Sequence, residues 1–482
     1  KDLKSSIVVV VFPFMNSLCD TESSAFNSAS TMTQLDEAVA RYHRLLETET
    51  VRTSGWLEKI RAQMAEQGLI VNGRPVTPVL RPHFISRRQY TNLMKTAELI
   101  NGAIERVRTL ALENPALMAR MEMLPAEKML AQVDPGYAAP VAALLDTQVN
   151  NGSLHMTGSQ ADLPSGVLYN EALSSLFYDA LPVKDIRKRF KLSKTGGSRP
   201  LMQALLKAWK QFGGSREPVI GVLEFKQAFE TAESHESMLL VELFRKSGYK
   251  AEIVSPDQLE YQNGVLRAGE TALDVVYRNL RAHEFLMRFD LRHPLVRAYR
   301  ERKVCVVNSF RTELTRKRAL LALLTDPEVN KAFPAAERNA IAATIPWTRV
   351  VTQGYATDPG GQRVDLPAYL LQHREELVLR PNDDTNDEMP SWDGSATSEQ
   401  AWERAVRSAV RASYVAQQRV PDHPVSFPVD LWGDIVYKDL NVEVHPHAFL
   451  GKVQGCSARI SAAGGFSTLT GMAPAFILET KS

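Results

Sequence analysis

Two histidines that flank a single proline, His445 and His447, have the type and spacing of a metal-ligand pair. A β-strand would place both imidazoles on one face, because alternate residues of a strand point the same way. Protein zinc sites take three or four ligands, and no third ligand lies close to the pair in the sequence. We therefore favour a pair of surface histidines and keep a metal pair as the alternative. The Walker A, HExxH and GxSxG patterns do not occur in the sequence.

The cysteines of this chain favour neither a disulfide framework nor a cysteine-rich zinc site. There are only three, Cys19, Cys305 and Cys456, and they lie far apart without forming a CxxC pair. The apolar neighbours of Cys305 favour a buried thiol over a nucleophile. Such a composition is compatible with a reducing compartment, and we expect a cytoplasmic protein.

The composition is typical of a globular protein of about three domains, at roughly 150 residues per domain. The chain has 482 residues, of which 44% are hydrophobic and 23% are charged. Its 57 basic and 55 acidic residues give a net charge of +2, which provides no global basic field for nucleic acid. No apolar run is long enough for a transmembrane helix. We therefore expect neither nucleic acid nor a membrane as a partner.

The N-terminal segment, residues 1–32, is predicted to be an extension that is either disordered or signal-like. Lys1 and Lys4 precede the apolar run Ile7–Phe12, which resembles a signal peptide, but Pro13 interrupts the run and no clear cleavage site follows. The alternative is that residues 7–12 form a first β-strand.

Hydrophobic periodicity divides the remainder into three regions. Residues 33–150 read as a helical N-terminal region. Residues 151–370 read as an α/β substrate and central domain, because a strand in 218–225, a helix over 236–247 and a strand over 251–254 form a parallel unit. A further helix is predicted over 314–324. Residues 371–482 read as an α+β lobe that could hold a flat ligand between two sheets.

Several segments follow one another in the order found in a known family. They are DVVYR (274–278), VCVVNSFR (304–311), KRALLALLTD (317–326), IPWTR (345–349), LVLRPNDD (377–384), YVAQQRV (414–420) and CSARIS (456–461). Together with the upstream loop QADLPSG (160–166), they resemble the circularly permuted ATP-grasp proteins, type 2. The resemblance extends over roughly residues 80–480.

This resemblance implies ATP-grasp-like lobes that bind ATP and Mg²⁺ and activate a carboxylate as an acylphosphate, which an amine then attacks. The partners would be a small-molecule or peptide carboxylate and an amine, with a protein partner or homo-oligomer left open. The residues that match family positions are implied to contact the nucleotide (Lys317, Arg318, Arg380, Asn382 and Gln418), the metal (Asp383, Asp384 and Glu443), and the acceptor or its entrance (Arg278, Arg459 and Asp162).

The sequence also departs from the family pattern. Arg318 and Arg380 stand where the family has lysines, and Gln418 stands where it has glutamate. The loop after Asp384 is acidic and has no glycine before Gly394, whereas the family has a glycine-rich flap there. Two functions therefore follow: an ATP-dependent carboxylate–amine ligase with a divergent flap, or a catalytically inactive ATP-grasp-like module that binds a peptide or a protein partner.

Overall fold

The computed structural model describes residues 33–71, 73–150, 153–225, 235–383, 389–462 and 469–481. The predicted extension, with its alternative strand at residues 7–12, lies outside these residues. So do Asp384 and residues 385–388 of the acidic loop. No helix in the described part of the chain is long and apolar enough to cross a membrane.

Helices are spread along the whole chain. They are α1 Gln34–Glu47, α2 Glu49–Arg52, α3 Trp56–Glu66, α4 Arg87–Glu113, α5 Pro115–Ala119, α6 Pro125–Gln132, α7 Val167–Tyr178, α8 Leu181–Arg189, α9 Ser198–Phe212, α10 His235–Lys246, α11 Ala282–Arg288, α12 Pro294–Arg300, α13 Glu313–Arg316, α14 Ala319–Leu324, α15 Pro327–Asn330, α16 Ala335–Thr344, α17 Leu366–Gln372 and α18 Glu399–Ala409.

The strands are concentrated after residue 140. They are β1 Ile70–Val71, β2 Arg74–Pro75, β3 His83–Ser86, β4 Ala143–Asn150, β5 Ser153–Gln160, β6 Phe190–Lys194, β7 Ile220–Leu223, β8 Ala251–Val254, β9 Leu259–Gln262, β10 Val265–Ala268, β11 Thr271–Ala272, β12 Val275–Arg278, β13 Cys305–Val307, β14 Thr348–Val350, β15 Tyr355–Thr357, β16 Arg363–Asp365, β17 Leu377–Pro381, β18 Trp392–Asp393, β19 Tyr414–Gln418, β20 Val425–Leu431, β21 Asp434–Phe449, β22 Lys452–Ala462, β23 Gly471–Ala473 and β24 Ala475–Thr480.

A parallel sheet with the strand order β13-β12-β7-β8 forms the centre of the α/β part. Strands β7, β12 and β13 are buried on both faces, as expected when a parallel sheet is covered on both sides. The strand–helix–strand unit predicted between 218 and 254 is β7, α10 and β8. Cys305 begins β13 and is fully buried, as is Cys456 in β22, so the predicted buried thiols are confirmed.

Two further sheets face the ligand cavity described below. An antiparallel sheet has the order β14-β19-β17-β18 and is backed by α17 and α18. A larger sheet has the order β23-β22-β21-β4-β5, with β20 paired to β21. The larger sheet joins β4 and β5 to strands near the C-terminus, so it combines segments from all three regions predicted from the sequence. The domain boundaries themselves stay a prediction.

The helix predicted over 314–324 is wrong in one respect, because it is broken at Lys317 and Arg318. The chain leaves α13 at Lys317 and restarts as α14 at Ala319. Asn382 causes the restart: its side-chain oxygen accepts from the Ala319 N–H at 2.8 Å, and its carbonyl accepts from the Arg318 N–H at 3.0 Å. The loop after β17 thus provides the partners that N–H groups at a helix start need.

Trp402 of α18 anchors the core of the antiparallel sheet. It is 1% exposed and donates from its indole N–H to the Leu370 carbonyl at 2.8 Å. We expect Trp402→Ala to lower the free energy of unfolding by about 3–5 kcal/mol in urea titrations, because it leaves a large cavity. The matched control is Trp432→Ala at a fully exposed hairpin tip, which should change stability by less than about 0.5 kcal/mol. Equal losses in the two variants would contradict this account.

Candidate anion-binding cleft

A cavity of about 270 Å³ lies between the antiparallel sheet and the larger sheet. Arg380 of β17 lines one side, and residues of β4, β5, β21 and β22 line the other. The loop after β5 and the segments that begin α11 and α14 close it. Its charged lining consists of Arg281, Arg316, Arg318, Arg380, Arg459, Asp146, Asp162 and Glu443. Among the described lining residues, five guanidinium groups face three carboxylates, a balance that favours anions.

 Arg318 and Arg380 line the same cavity, although 61 residues lie between them along the chain. Arg318 is held by its Nη1, which donates to the Pro381 carbonyl at 2.8 Å. Burial lowers the pKa of Arg380, and the neighbouring Arg318 charge lowers it further. Among the described residues, no side chain forms an ion pair or hydrogen bond with Arg380, which lines the cavity.

His445 of β21 lies between the carboxylates of Asp146 and Glu443, and both of these carboxylates line the cavity. His445 Nδ1 lies 3.1 Å from Asp146, and Nε2 lies 3.4 Å from Glu443. Burial acts to lower the pKa of His445, but the hydrogen bonds and charges of the two carboxylates raise it to about 9. Burial acts to raise the pKa of Glu443, but His445 and Gln148 lower it to about 2. The imidazolium therefore compensates both acids.

The favoured interpretation of His445 and His447 as surface residues is wrong. Both are buried, because β21 lies in the interior of the larger sheet between β22 and β4. His447 hydrogen-bonds the Ser457 hydroxyl at 3.0 Å, and burial lowers its pKa to about 3. The two imidazoles thus have separate partners, and their pKa values are shifted in opposite directions. They therefore do not resemble a pair of metal ligands.

Asp383 is held by basic side chains of the helix break. Arg316 donates to both carboxylate oxygens, at 2.5 and 2.7 Å, and Lys317 Nζ donates at 2.5 Å. Burial acts to raise the pKa of Asp383, but Arg316 and Lys317 hold it well below its usual range. Lys317 also contacts Glu127 at 2.9 Å and is 3% exposed. Lys317 therefore binds carboxylates of the protein, not the cavity.

Arg278 and Asp162 form an ion pair whose side chains are completely buried. Arg278 also donates to the carbonyls of Asn308 at 3.1 Å and Leu280 at 2.9 Å, and Asp162 accepts from the Ala282 N–H at 3.1 Å. The pair ties the loop after β5 to the carboxyl end of β12. Asp162 also lines the cavity, whereas Arg278 does not and contacts only protein groups among the described residues.

The remaining sequence-predicted residues have different surroundings. Asn382 is 1% exposed and, besides the start of α14, donates to the Met121 carbonyl at 3.0 Å. Gln418 is exposed at the end of β19. Arg459 pairs with Glu443 across β21 and β22 and lines the cavity. The structure thus brings Arg318, Arg380, Arg459, Asp162 and Glu443 to one cavity, and it leaves Lys317, Asn382, Gln418, Asp383 and Arg278 outside its lining.

Sequence reasoning missed several residues of the cavity. Arg281, Arg316 and Asp146 line it, and His445 was considered only as part of a histidine pair. The run Arg316-Lys317-Arg318 was a usable signal, since three consecutive basic residues indicate a local concentration of positive charge. Asp146 had no such signal, because its position depends on the pairing of β4 with β21.

The described carboxylates do not fit a magnesium site. Mg²⁺ requires free carboxylate oxygens in a near-octahedral arrangement with water. Asp146 and Glu443 are both bound by His445, Asp162 is bound by Arg278, and Asp383 is bound by Arg316 and Lys317. The arginines fit the phosphates of a nucleotide, because a guanidinium binds phosphate oxygens in a bidentate manner.

No family model and no curated protein matches the chain. Solved structures do match. A glutathione synthetase-like effector from Globodera pallida, in the apo form, aligns with a TM-score of 0.62 and 13% identity over 89% of this chain and 98% of its own. A putative gamma-glutamylcysteine synthetase from Methylobacillus flagellatus aligns with a TM-score of 0.39 and 12% identity over 76% and 84%. A RimK domain ATP-grasp protein from Sphaerobacter thermophilus aligns with a TM-score of 0.26 and 15% identity over 53% and 91%.

At these identities the similarity concerns the fold alone, and only the first alignment is close enough to support an argument. It extends over nearly the whole of both chains. The predicted α/β and α+β class with a helical N-terminal region is confirmed, and the chain is similar in fold to the glutathione synthetase-like effector. The ATP-grasp-like character of the lobes stays a prediction. Circular permutation stays a prediction.

The buried pair of Arg278 and Asp162 should contribute to stability. We expect Arg278→Met to lower the free energy of unfolding by about 3–5 kcal/mol, because it leaves the Asp162 charge buried without its partner. The control is Arg407→Met, which removes an exposed pair with Glu403 one helical turn away and should cost less than about 0.5 kcal/mol. Chemical denaturation measures both, and similar losses would contradict a structural role for Arg278.

The His445 cluster should make stability depend on pH. The pKa of His445 is raised from 6.5 to about 9, so its contribution is complete below pH 6.5 and is lost as the pH rises through about 9. The pKa of Glu443 is lowered from 4.5 to about 2, so its contribution is complete above pH 4.5 and is lost as the pH falls through about 2.

We therefore expect His445→Gln to lose most stability, relative to the unsubstituted protein, between about pH 4.5 and 6.5, and the difference to shrink as the pH rises through about 9. Denaturant titrations across this range measure the difference. The exposed His423→Gln is the control and should show a small and constant difference. A difference for His445→Gln that stays constant up to high pH would show that the imidazole is not charged in the folded state.

Proposed function

We propose that the cleft binds the phosphate groups of ATP and that the protein is an ATP-grasp-type ligase that joins a carboxylate to an amine. One observation carries this proposal: arginines from β17, β22 and the helix break converge on one cavity between two sheets. Among them, Arg380 has no partner among the described residues, so an anionic ligand would supply the partner that a largely buried guanidinium needs.

The reaction would have two steps, and different arginines of this chain would act on different groups. The carboxylate oxygen would attack the γ-phosphorus of ATP, and ADP would leave with the electron pair of the broken P–O bond. The amine would then attack the acyl carbon, and phosphate would leave as the amide forms and the amine loses a proton. Arg318 and Arg380 would stabilise the charge on the transferred phosphoryl group, and Arg459 would hold the acceptor carboxylate. Catalysis here would consist of positioning and charge stabilisation.

A second candidate is a catalytically inactive ATP-grasp-like module that binds the carboxylate groups of a peptide or partner protein in the same cleft. The contacts of the implied metal ligands favour this candidate. Asp383 is already bound by Arg316 and Lys317, and Glu443 is already in contact with His445. Both candidates require an anion in the cleft. They differ in whether a nucleotide binds and is consumed.

We expect ATP to stabilise the protein against heat by about 2.7 kcal/mol when its concentration is 100 times the dissociation constant. Differential scanning fluorimetry, with and without Mg²⁺, measures this shift. Arg380→Ala should weaken ATP binding by about tenfold or more, since it removes a hydrogen-bond donor to a charged ligand. The matched control is Arg363→Ala, on an exposed arginine that stacks on Tyr355 of the β15–β16 hairpin.

The absence of a shift at millimolar ATP would remove the ligase and leave the inactive module. A shift that Arg380→Ala does not change would mean that ATP binds elsewhere. Where ATP binds, release of ADP that requires both a carboxylate and an amine would identify the ligase. Binding without release of ADP from any such pair would favour the inactive module.

A further inference from the structure

The ammonium group of Lys317 lies in a group of side chains that resembles a metal site. The group consists of Glu127, His283 and Asp383, which each offer one ligand atom, and these atoms lie within 4.8 Å of one another. Lys317 Nζ lies 2.9 Å from Glu127 and 2.5 Å from Asp383. Since Lys317 is 3% exposed, its charge is fixed inside the protein. The ammonium group of Lys317, a cation that belongs to the chain itself, therefore lies between Glu127 and Asp383.

Arg316 completes the compensation of Asp383. Its two Nη atoms contact both oxygens of this carboxylate, at 2.5 and 2.7 Å, and Arg316 also contacts Glu313 at 2.8 Å. A divalent cation that bound Asp383 would have to displace these donors and approach two positive charges. The repulsion between a divalent ion and each of these positive groups would be twice that between two unit charges at the same distance.

The acids that line the cavity have equivalent partners. His445 contacts both Asp146 and Glu443, and Arg278 contacts Asp162. Arg278 thus already provides Asp162 with a positive partner, and the oxygens of Asp146 and Glu443 lie next to the His445 ring. The cavity is also lined by Arg318, Arg380 and Arg459, whose guanidinium groups can bind phosphate oxygens directly.

We propose that the cleft binds phosphate groups without a divalent cation, with Lys317 as the built-in cation of the acidic group formed by Glu127, His283 and Asp383. This inference rests on the proposed function and specifies its metal requirement. Arg318 and Arg380 take the role of phosphate neutralisation, and Lys317 takes the place that a metal would have beside Asp383.

Isothermal titration calorimetry of the unsubstituted chain tests the inference, with ATP and inorganic triphosphate as probes, in EDTA and in excess Mg²⁺. We expect affinities that differ by less than about threefold between the two buffers. ATP binding that is more than about tenfold weaker in EDTA would overturn the inference and leave the proposed function intact. Triphosphate binding in EDTA without ATP binding would support the inference and remove the proposed function. No binding of either probe in either buffer would overturn both.

Replacement of Lys317 provides an independent test. In Lys317→Met the acidic group loses its cation, so we expect it to bind Mn²⁺ with a dissociation constant at least about tenfold lower than that of the unsubstituted chain. Lys317→Arg should stay like the unsubstituted chain, because it keeps the charge. Lys331→Met, at an exposed lysine paired with Glu328, is the matched control. Equal Mn²⁺ affinities for the unsubstituted chain and Lys317→Met would overturn the assignment of Lys317.

Because Lys317→Met leaves buried acids uncompensated, the variant could fail to fold. The double variant Lys317→Met/Glu127→Gln removes one of these charges and keeps Asp383 and His283. Its thermal unfolding should occur at a higher temperature than that of the single variant, and its Mn²⁺ affinity should be lower. If the second substitution gives no recovery, Lys317 does not compensate Glu127 and the inference is overturned.

Discussion

The structure of the cleft depends on one constraint: an ion that is removed from water needs a partner of opposite charge. Each described carboxylate at the cleft has such a partner, whether an imidazolium, a guanidinium or an ammonium group. Among the lining residues that the structure describes, five arginines face three acids. Arg380 is the clearest result of this imbalance. Its charge is retained in a largely buried position, and the electrostatic potential of the cavity follows from it.

The parallel sheet could be predicted from local sequence because its strands are short, continuous apolar runs between turn signals. Ile220–Leu223 is of this kind, Ala251–Val254 is interrupted only by Glu252, and α10 between them ends near Gly248, as expected for a helix followed by glycine. The hairpin of β4 and β5 could not be predicted in the same way. Its strands carry polar residues on their exposed sides, and its partner strand β21 lies almost 300 residues away, as the 295-residue separation of Gln148 and Glu443 illustrates. Local periodicity contains no information on such a pairing.

For the site, the sequence indicated positions better than roles. Asn382 and Arg278 match family positions implied to bind ligands, yet they hold the backbone of α14 and the loop after β5. A buried amide or guanidinium serves equally well as a donor to backbone carbonyls or as a donor to a ligand, and the residue type alone does not distinguish the two uses. The distinction depends on which carbonyls the fold brings within about 3 Å. Arg318 does both, since it donates to Pro381 and lines the cavity.

The break between α13 and α14 shows how a local departure from helix geometry gives neighbouring residues separate functions. In a continuous helix, three consecutive side chains would cover most of the circumference at 100° intervals, and only one would face a given cavity. Here Arg316 and Arg318 both line the cavity, while Lys317 between them contacts Glu127 and Asp383. The break itself exists because Asn382 provides the partners for the start of α14. The loop after β17 therefore determines the directions of the three basic side chains and also supplies Asp383, the acid that two of them contact. The same contacts thus fix the path of this loop and the charge of the cleft.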